Sequence, residues 1–134
     1  MSTYLEEAKK LRSGIEGHYN CAQAVLIPFA QHFGMSKETA ARVAANFGSG
    51  MKMGATCGAV TGGLMALGLA GIDDAGSIGA FCREIRNRHE GCLDCRDLLR
   101  INAEKGGDKS HHCTDMVYEC LEAVEEIMRS RGLL

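Results

Sequence analysis

Chemistry in this sequence is concentrated in cysteine, which occurs seven times in 134 residues. A deprotonated thiol is a nucleophile and a soft metal ligand, so the surroundings of each cysteine decide what it can do. Cys21 follows Asn20, Cys57 follows Thr56, Cys95 follows Asp94, and Cys113 stands three residues after Ser110. Asn, Thr, Asp and Ser begin helices because their side-chain oxygens accept N–H groups that the first turn leaves unpaired. The four cysteines are therefore expected in the first turns of four helices, converging on one site. Free N–H groups and the positive end of the helix dipole favour thiolate there. Cys57 adds a glycine-lined approach. It is the expected nucleophile with the lowest thiol pKa, and Cys21 or Cys113 would resolve the mixed disulfide.

The remaining cysteines are placed differently. Cys82 falls in mid-helix, and Cys120 shares an apolar stripe with Met116, Val117, Val124 and Ile127. Both read as small core residues. Cys92 and Cys95 form a C-x-x-C pair without the preceding strand of a thioredoxin-like site. Cys92, Cys95 and Cys113 with His111 or His112 have permissible zinc chemistry, in a spacing that matches a zinc module only loosely. His18, His32 and His89 stand alone and suit solvent or loop roles. Glu122, Glu125 and Glu126 read as the solvated face of the last helix. Asp73 and Asp74 read as capping residues.

Gly54, Gly58 and Gly62 recur every four residues around Cys57. Interior helical glycine costs about 0.5–1 kcal/mol against alanine, so something must offset it. Two readings fit. Gly58 and Gly62 could let the backbone approach a bound group beside Cys57, or they could form a small-residue face against another helix.

The elements that must carry these residues are helical. Tyr4, Ala8, Leu11 and Ile15 mark one face of a first helix, ended by Gly14 and Gly17. A second helix is expected from Cys21 to about Phe33, kinked at Pro28. Ser36 caps a third, Lys37 to Phe47, and 48–54 is a loop. A fourth, capped by Thr56, runs to about Leu69, and a fifth runs from Asp73 or Asp74 to near His89. The sixth spans Cys95 to Arg100, and the last runs from Ser110 to Arg131. No segment alternates with period two. The expectation is a single all-α domain over 1–134, a compact bundle of about six or seven helices.

Composition bounds the function. Apolar residues at 46% and charged residues at 24% exclude a disordered chain. A net charge of −2 leaves no basic surplus for a nucleic-acid backbone. The N-terminus lacks the apolar core of a secretory signal, and the most apolar stretch, Cys57 to Ile72, is too short to span a bilayer. A cytoplasmic protein without membrane insertion is expected. Its odd number of cysteines then points to free, metal-binding or catalytic thiols, not to a disulfide framework.

The series Asn20–Val25, Gly54-Ala-Thr-Cys57-Gly-Ala-Val-Thr-Gly-Gly63, Cys95-Arg-Asp-Leu-Leu99 and Cys113 resembles the C-GCAxxG-C-C family, a group described as redox-active. The resemblance covers nearly the whole chain. It selects Cys21, Cys57, Cys95 and Cys113, with Gly58 standing between Cys57 and Ala59 where the family name has Cys-Ala. A similar domain in split-Soret cytochromes is associated with an iron–sulfur centre. This chain lacks the C-x-x-C-H haem attachment motif, so no haem is expected.

Three functions are open at this point. The first is cysteine-based redox chemistry with an unidentified redox partner, the catalytic thiols being Cys57, Cys21, Cys95 and Cys113. The second is an iron–sulfur ([2Fe–2S]) cluster or metal ion on the same four cysteines. The third is a non-catalytic helical interaction module. A homodimer is compatible with each.

Overall fold

The computed structural model describes residues 2–134, and among these the architecture is all-helical. Seven α-helices follow one another: α1 (Thr3–Arg12), α2 (Cys21–Ala30), α3 (Lys37–Val43), α4 (Gly58–Leu69), α5 (Ala75–Arg88), α6 (Cys95–Glu104) and α7 (Lys109–Ser130). Side-chain oxygens of Ser2, Asn20, Ser36, Asp74 and Asp108 each accept an N–H at a helix start. Among the described residues, no helix is long and apolar enough to cross a membrane.

Helix α2 is the centre. Ala22 and every residue from Ala24 to Ala30 are buried. A helix apolar on all sides must be surrounded. Its α-helical part ends two residues past Pro28, in a 3₁₀ turn over Gln31–Phe33 closed by left-handed Gly34. Helices α4, α7, α1 and α3 pack around it. Phe29, Phe81, Leu26, Leu67, Ile85 and Met116 fill the core between them.

The tightest contact is α2 against α4, and glycine makes it. A Cβ on Gly62 would sit 2.5 Å from the Ala22 carbonyl oxygen and 2.9 Å from its Cα. One on Gly58 would sit 2.8 Å from the Phe47 oxygen and 3.2 Å from the Ala22 nitrogen. Gly63 leaves room for the Phe81 ring in the same way. Gly58, Gly62 and Gly63 are thus packing positions, which offsets their poor helix propensity, while Gly54 lies before α4 with φ 69°.

Several expected boundaries move. Helix α1 stops at Arg12, so Ile15 is 88% exposed and does not extend its apolar face. Helix α3 ends at Val43, and α6 runs four residues past Arg100. Asp108, not Ser110, caps α7, its carboxylate accepting the His111 N–H at 3.1 Å. Glu125 is buried. It accepts from the Ser2 hydroxyl at 2.7 Å and pairs with Arg129 at 2.9 Å. Only Glu122 and Glu126 of that run are exposed.

The loop before α4 is strained. Ser49, Gly50, Met51 and Lys52 all have φ between 54° and 62°, one left-handed turn closed by the Ala55 N–H to the Gly50 carbonyl at 2.9 Å. Each of its three non-glycine residues costs about 1–2 kcal/mol there. Lys52 is exposed, so Lys52→Gly removes strain without opening a cavity. After the entropy glycine adds to the unfolded chain, stability should rise by about 0.5–1 kcal/mol. Urea denaturation measures this, and a loss of stability would show that Lys52 holds the turn by other means.

Candidate functional site

Each of the four cysteines is held by local structure that the sequence specifies in part. Cys21 is the first residue of α2, behind a reciprocal capping box. Asn20 Oδ1 accepts the Gln23 N–H, and Gln23 Oε1 accepts the Asn20 N–H, both at 2.8 Å. The Asn20 amide also donates to the carbonyls of Ala44 and Ala45, at 3.2 and 3.1 Å, fixing the end of α3 against the start of α2.

Cys57 and Cys95 are positioned together. Thr56 and Asp94 form an isolated antiparallel bridge. The Cys57 N–H donates to the Leu93 carbonyl at 2.8 Å, and the Cys95 N–H donates to the Ala55 carbonyl at 2.6 Å. The backbone that precedes α4 is thereby tied to the backbone that precedes α6. Thr56 does not cap α4. Cys57 itself occupies the cap position, and no side chain bonds there. Cys95 is the first residue of α6, and the Asp94 side chain makes no cap bond. Cys113 is the fifth residue of α7, beyond the first turn, because Asp108 starts that helix earlier than expected.

A pocket of about 210 Å³ opens among these elements. Cys21, Cys57, Cys95 and Cys113 all line it. Gly58, Leu98, Leu99 and Met116 supply apolar wall, and Asn20 and Ser49 supply polar wall. Arg12, His18, Lys109 and His112 also line it, whereas no Asp or Glu does. Gly58 thus borders the pocket as well as Ala22. Gly62 does not line the pocket, and its small size serves the α2–α4 contact.

Cys21 and Cys113 are partners across 92 positions of sequence. Cys21 Sγ lies 3.8 Å from the Cys113 carbonyl oxygen. A hydrogen bond between the two side chains is the first cause of the shifts in both thiols. That bond favours thiolate on Cys113, and the charges of Arg12 and Lys109 add to it. The Cys113 pKa falls to about 6 despite partial burial and the nearby Asp108 carboxylate. The same bond and burial push the Cys21 thiol up. The pair releases one proton early and holds the other.

The expectation that Cys57 is the most acidic thiol is overturned. Burial pushes Cys57 up to about 11, more than the N–H groups of Ala59 and Val60 pull it down. Cys57 is only 6% exposed, and desolvation of a thiolate there outweighs the helix end. Cys95 is also raised, by burial first and then by the proximity of Cys113. A helix start is therefore not what makes a thiol acidic here. A hydrogen-bond donor and two cations do that for Cys113.

Of the remaining expected residues, His18 and His112 line the pocket and the others lie outside it. Cys92 and its Sγ stay outside it, 3.8 Å from the Glu90 carbonyl oxygen. His111 is exposed and pairs with Asp108. Among the described residues, no three His, Cys, Asp or Glu side chains are placed to hold a single metal ion, so the zinc arrangement is not assembled. A [2Fe–2S] cluster asks for two thiolates on each of two irons. Four thiols on one pocket that no carboxylate lines are a donor set of that kind and number. Cys120 is fully buried, but Cys82 is only partly so. His89 is not isolated, since its Nε2 lies 2.7 Å from Glu119 and its ring packs edge-on to His112 at 6.3 Å. His32 faces the Leu133 carbonyl, and His18 borders the pocket.

Arg12 and Lys109 carry no signal in the sequence. Arg12 sits at the end of α1, and Lys109 is one of fifteen Lys and Arg residues with no motif around it. Only the packing of α1 and α7 beside the cysteines gives them meaning.

An all-helical fold around a four-cysteine pocket defines a cysteine-centred protein. The chain belongs to the family described as "Putative redox-active protein (C_GCAxxG_C_C)", which matches residues 19–127. No curated protein and no solved structure matches the chain.

Proposed function

We propose that this protein performs dithiol–disulfide exchange, with Cys113 as the attacking thiolate and Cys21 as the resolving thiol. The observation that carries this reading is the Cys21–Cys113 pair itself, the Cys21 thiol donating to the Cys113 carbonyl inside a pocket that both residues line. A thiolate with a pKa near ambient pH is the best compromise between ionised fraction and intrinsic nucleophilicity. Resolution of a mixed disulfide requires a second sulfur within contact that gives up its proton as it attacks. Cys57 and Cys95, held at higher pKa in the same pocket, are further thiols to which a disulfide could pass.

The test is alkylation by iodoacetamide across pH 5–9, scored for each cysteine by peptide mass. The Cys113 rate should rise with a midpoint of about 6, because a lowered pKa means that thiolate is lost only as pH falls through that value. Cys57 and Cys120 should stay almost unreactive at pH 7, since burial raises both. An ordinary thiol profile at Cys113, with its midpoint at about 8.5, would defeat the assignment.

The convergence of four thiols on one pocket favours a second reading, a [2Fe–2S] cluster on Cys21, Cys57, Cys95 and Cys113. Anaerobic purification distinguishes the two. A cluster protein is brown and carries about two irons per chain. Colourless protein without iron, recovered under those conditions with all four thiols titratable, eliminates the cluster.

A further inference from the structure

We infer that the small disulfide or thiol exchanged at this pocket is an anionic one, recognised by Arg12 and Lys109. This rests on the dithiol reading above and adds a substrate class to it. The chain carries a net charge of −2, yet the pocket is lined by the cations Arg12 and Lys109 and by no carboxylate. That local reversal of sign is not inherited from composition.

The two permanent cations are also unspent. Arg88, Arg100, Arg129, Arg131, Lys37 and Lys105 each pair with a carboxylate elsewhere. Among the described residues, neither Arg12 nor Lys109 has a carboxylate within ion-pair distance. Arg12 is fixed by neutral acceptors, Nη1 on the Tyr19 carbonyl at 2.9 Å and Nε on the Thr114 hydroxyl at 3.4 Å. Its charge is oriented but not cancelled. Asp108 bears on Cys113 in the opposite sense, but it is engaged with the His111 N–H and ring.

A bare thiolate pocket would attract cations and repel anions. Two fixed positive charges reverse that preference, and a guanidinium matches a carboxylate in geometry as well as sign. A cavity of about 210 Å³ is below the usual range for ligand pockets, which suits a small molecule.

The chemistry closes without another reactant. The Cys113 thiolate attacks one sulfur of the external disulfide. A protein–ligand S–S bond forms, the ligand's own S–S bond breaks, and one ligand thiolate leaves. That thiolate takes up the proton Cys113 had released to solvent. The Cys21 sulfur then displaces the second ligand sulfur, its proton passing to that leaving group. Two ligand thiols and a Cys21–Cys113 disulfide result, the protein having lost two electrons and two protons.

Three disulfides of similar size test the inference: 3,3′-dithiodipropionate (two carboxylates), 2-hydroxyethyl disulfide (neutral) and cystamine (two ammonium groups). The readout is the rate of Cys21–Cys113 disulfide formation in the full chain. Each rate is divided by the rate of the same disulfide with 2-mercaptoethanol at the same pH. The dicarboxylate should exceed cystamine by at least about tenfold at low salt, and the ratio should shrink at high salt. Lys109→Gln, at an exposed first-turn position, and Arg12→Gln should each lower the ratio severalfold. Equal ratios, or faster cystamine, with the neutral disulfide still oxidising the pair, would overturn the anion preference and leave the dithiol reading standing. If none of the three produces the Cys21–Cys113 disulfide, the dithiol reading fails and the inference fails with it.

Discussion

Replacing Cys113 with serine should slow oxidation of the pocket by a small neutral disulfide about 50-fold at pH 7. With a pKa of about 6, Cys113 is mostly thiolate at that pH. Cys57, at about 11, is roughly one part in ten thousand thiolate. The ionised fractions differ by about 10⁴, but the less acidic thiolate is the stronger nucleophile. A Brønsted slope of 0.4–0.5 over five units takes back about 100- to 300-fold. The remainder is the expected loss. Cys21→Ser should act differently. The first attack proceeds, resolution fails, and the ligand stays bound to Cys113 as a mixed disulfide visible in the intact mass. If the mixed disulfide forms on Cys57 or Cys95 instead, or if Cys113→Ser reacts at the original rate, the roles assigned to the pair are wrong.

Two alanine substitutions within helix α4, less than two turns apart, should have opposite signs. Gly62→Ala places a Cβ 2.5 Å from the Ala22 carbonyl oxygen, and the obstruction is backbone, which cannot rotate away. Helices α2 and α4 must separate. Overpacking of this kind costs about 1–3 kcal/mol or more, and the propensity gained by alanine offsets at most about 1 kcal/mol. A net loss of about 2 kcal/mol is expected, a fall in Tm of roughly 6–8 °C for a domain this size. Gly68 lies in the same helix and is exposed, and a Cβ added there would meet nothing within 4 Å. Gly68→Ala should gain about 0.5–1 kcal/mol from propensity alone. The Gly62 change should also slow Cys21–Cys113 disulfide formation, because Ala22 is the neighbour of Cys21. Equal shifts in the two melting temperatures would mean that the α2–α4 contact is looser than described.

The all-helical fold was legible in the sequence because its determinants are local. No stretch alternates with period two, aromatic residues are only 5%, and Asn20, Ser36 and Asp74 stand where helices begin. Two cysteines of the pocket were legible for the same reason: Asn20 and Asp94 immediately precede Cys21 and Cys95 at helix starts. The reciprocal bond between Asn20 and Gln23 was equally local, and the residue type three positions after Asn20 would have revealed it. Boundaries were less secure, as with Ile15 and the start of α7, where two candidate caps, Asp108 and Ser110, compete within three residues.

Which thiol is acidic was not in the sequence, because a pKa is set by burial and by charges that arrive from elsewhere in the chain. Cys57 has glycine around it and a helix in front of it, yet the core closes over it and raises its pKa. Cys113 lies one turn too far along α7 for the helix end to matter, yet Arg12 from α1 and Cys21 from α2 meet it. The glycine series shows the same division. Its period of four could be read from the chain, but whether the space it leaves belongs to a ligand or to a helix could not. The backbone of Ala22 occupies the space beside Gly62, while Gly58 touches both that backbone and the pocket. Helices and most of the residues at their ends follow from the order of amino acids, since capping and periodicity act over a few positions. Which of those residues share a pocket follows from packing, because only packing sets distance and solvent access between positions far apart in the chain.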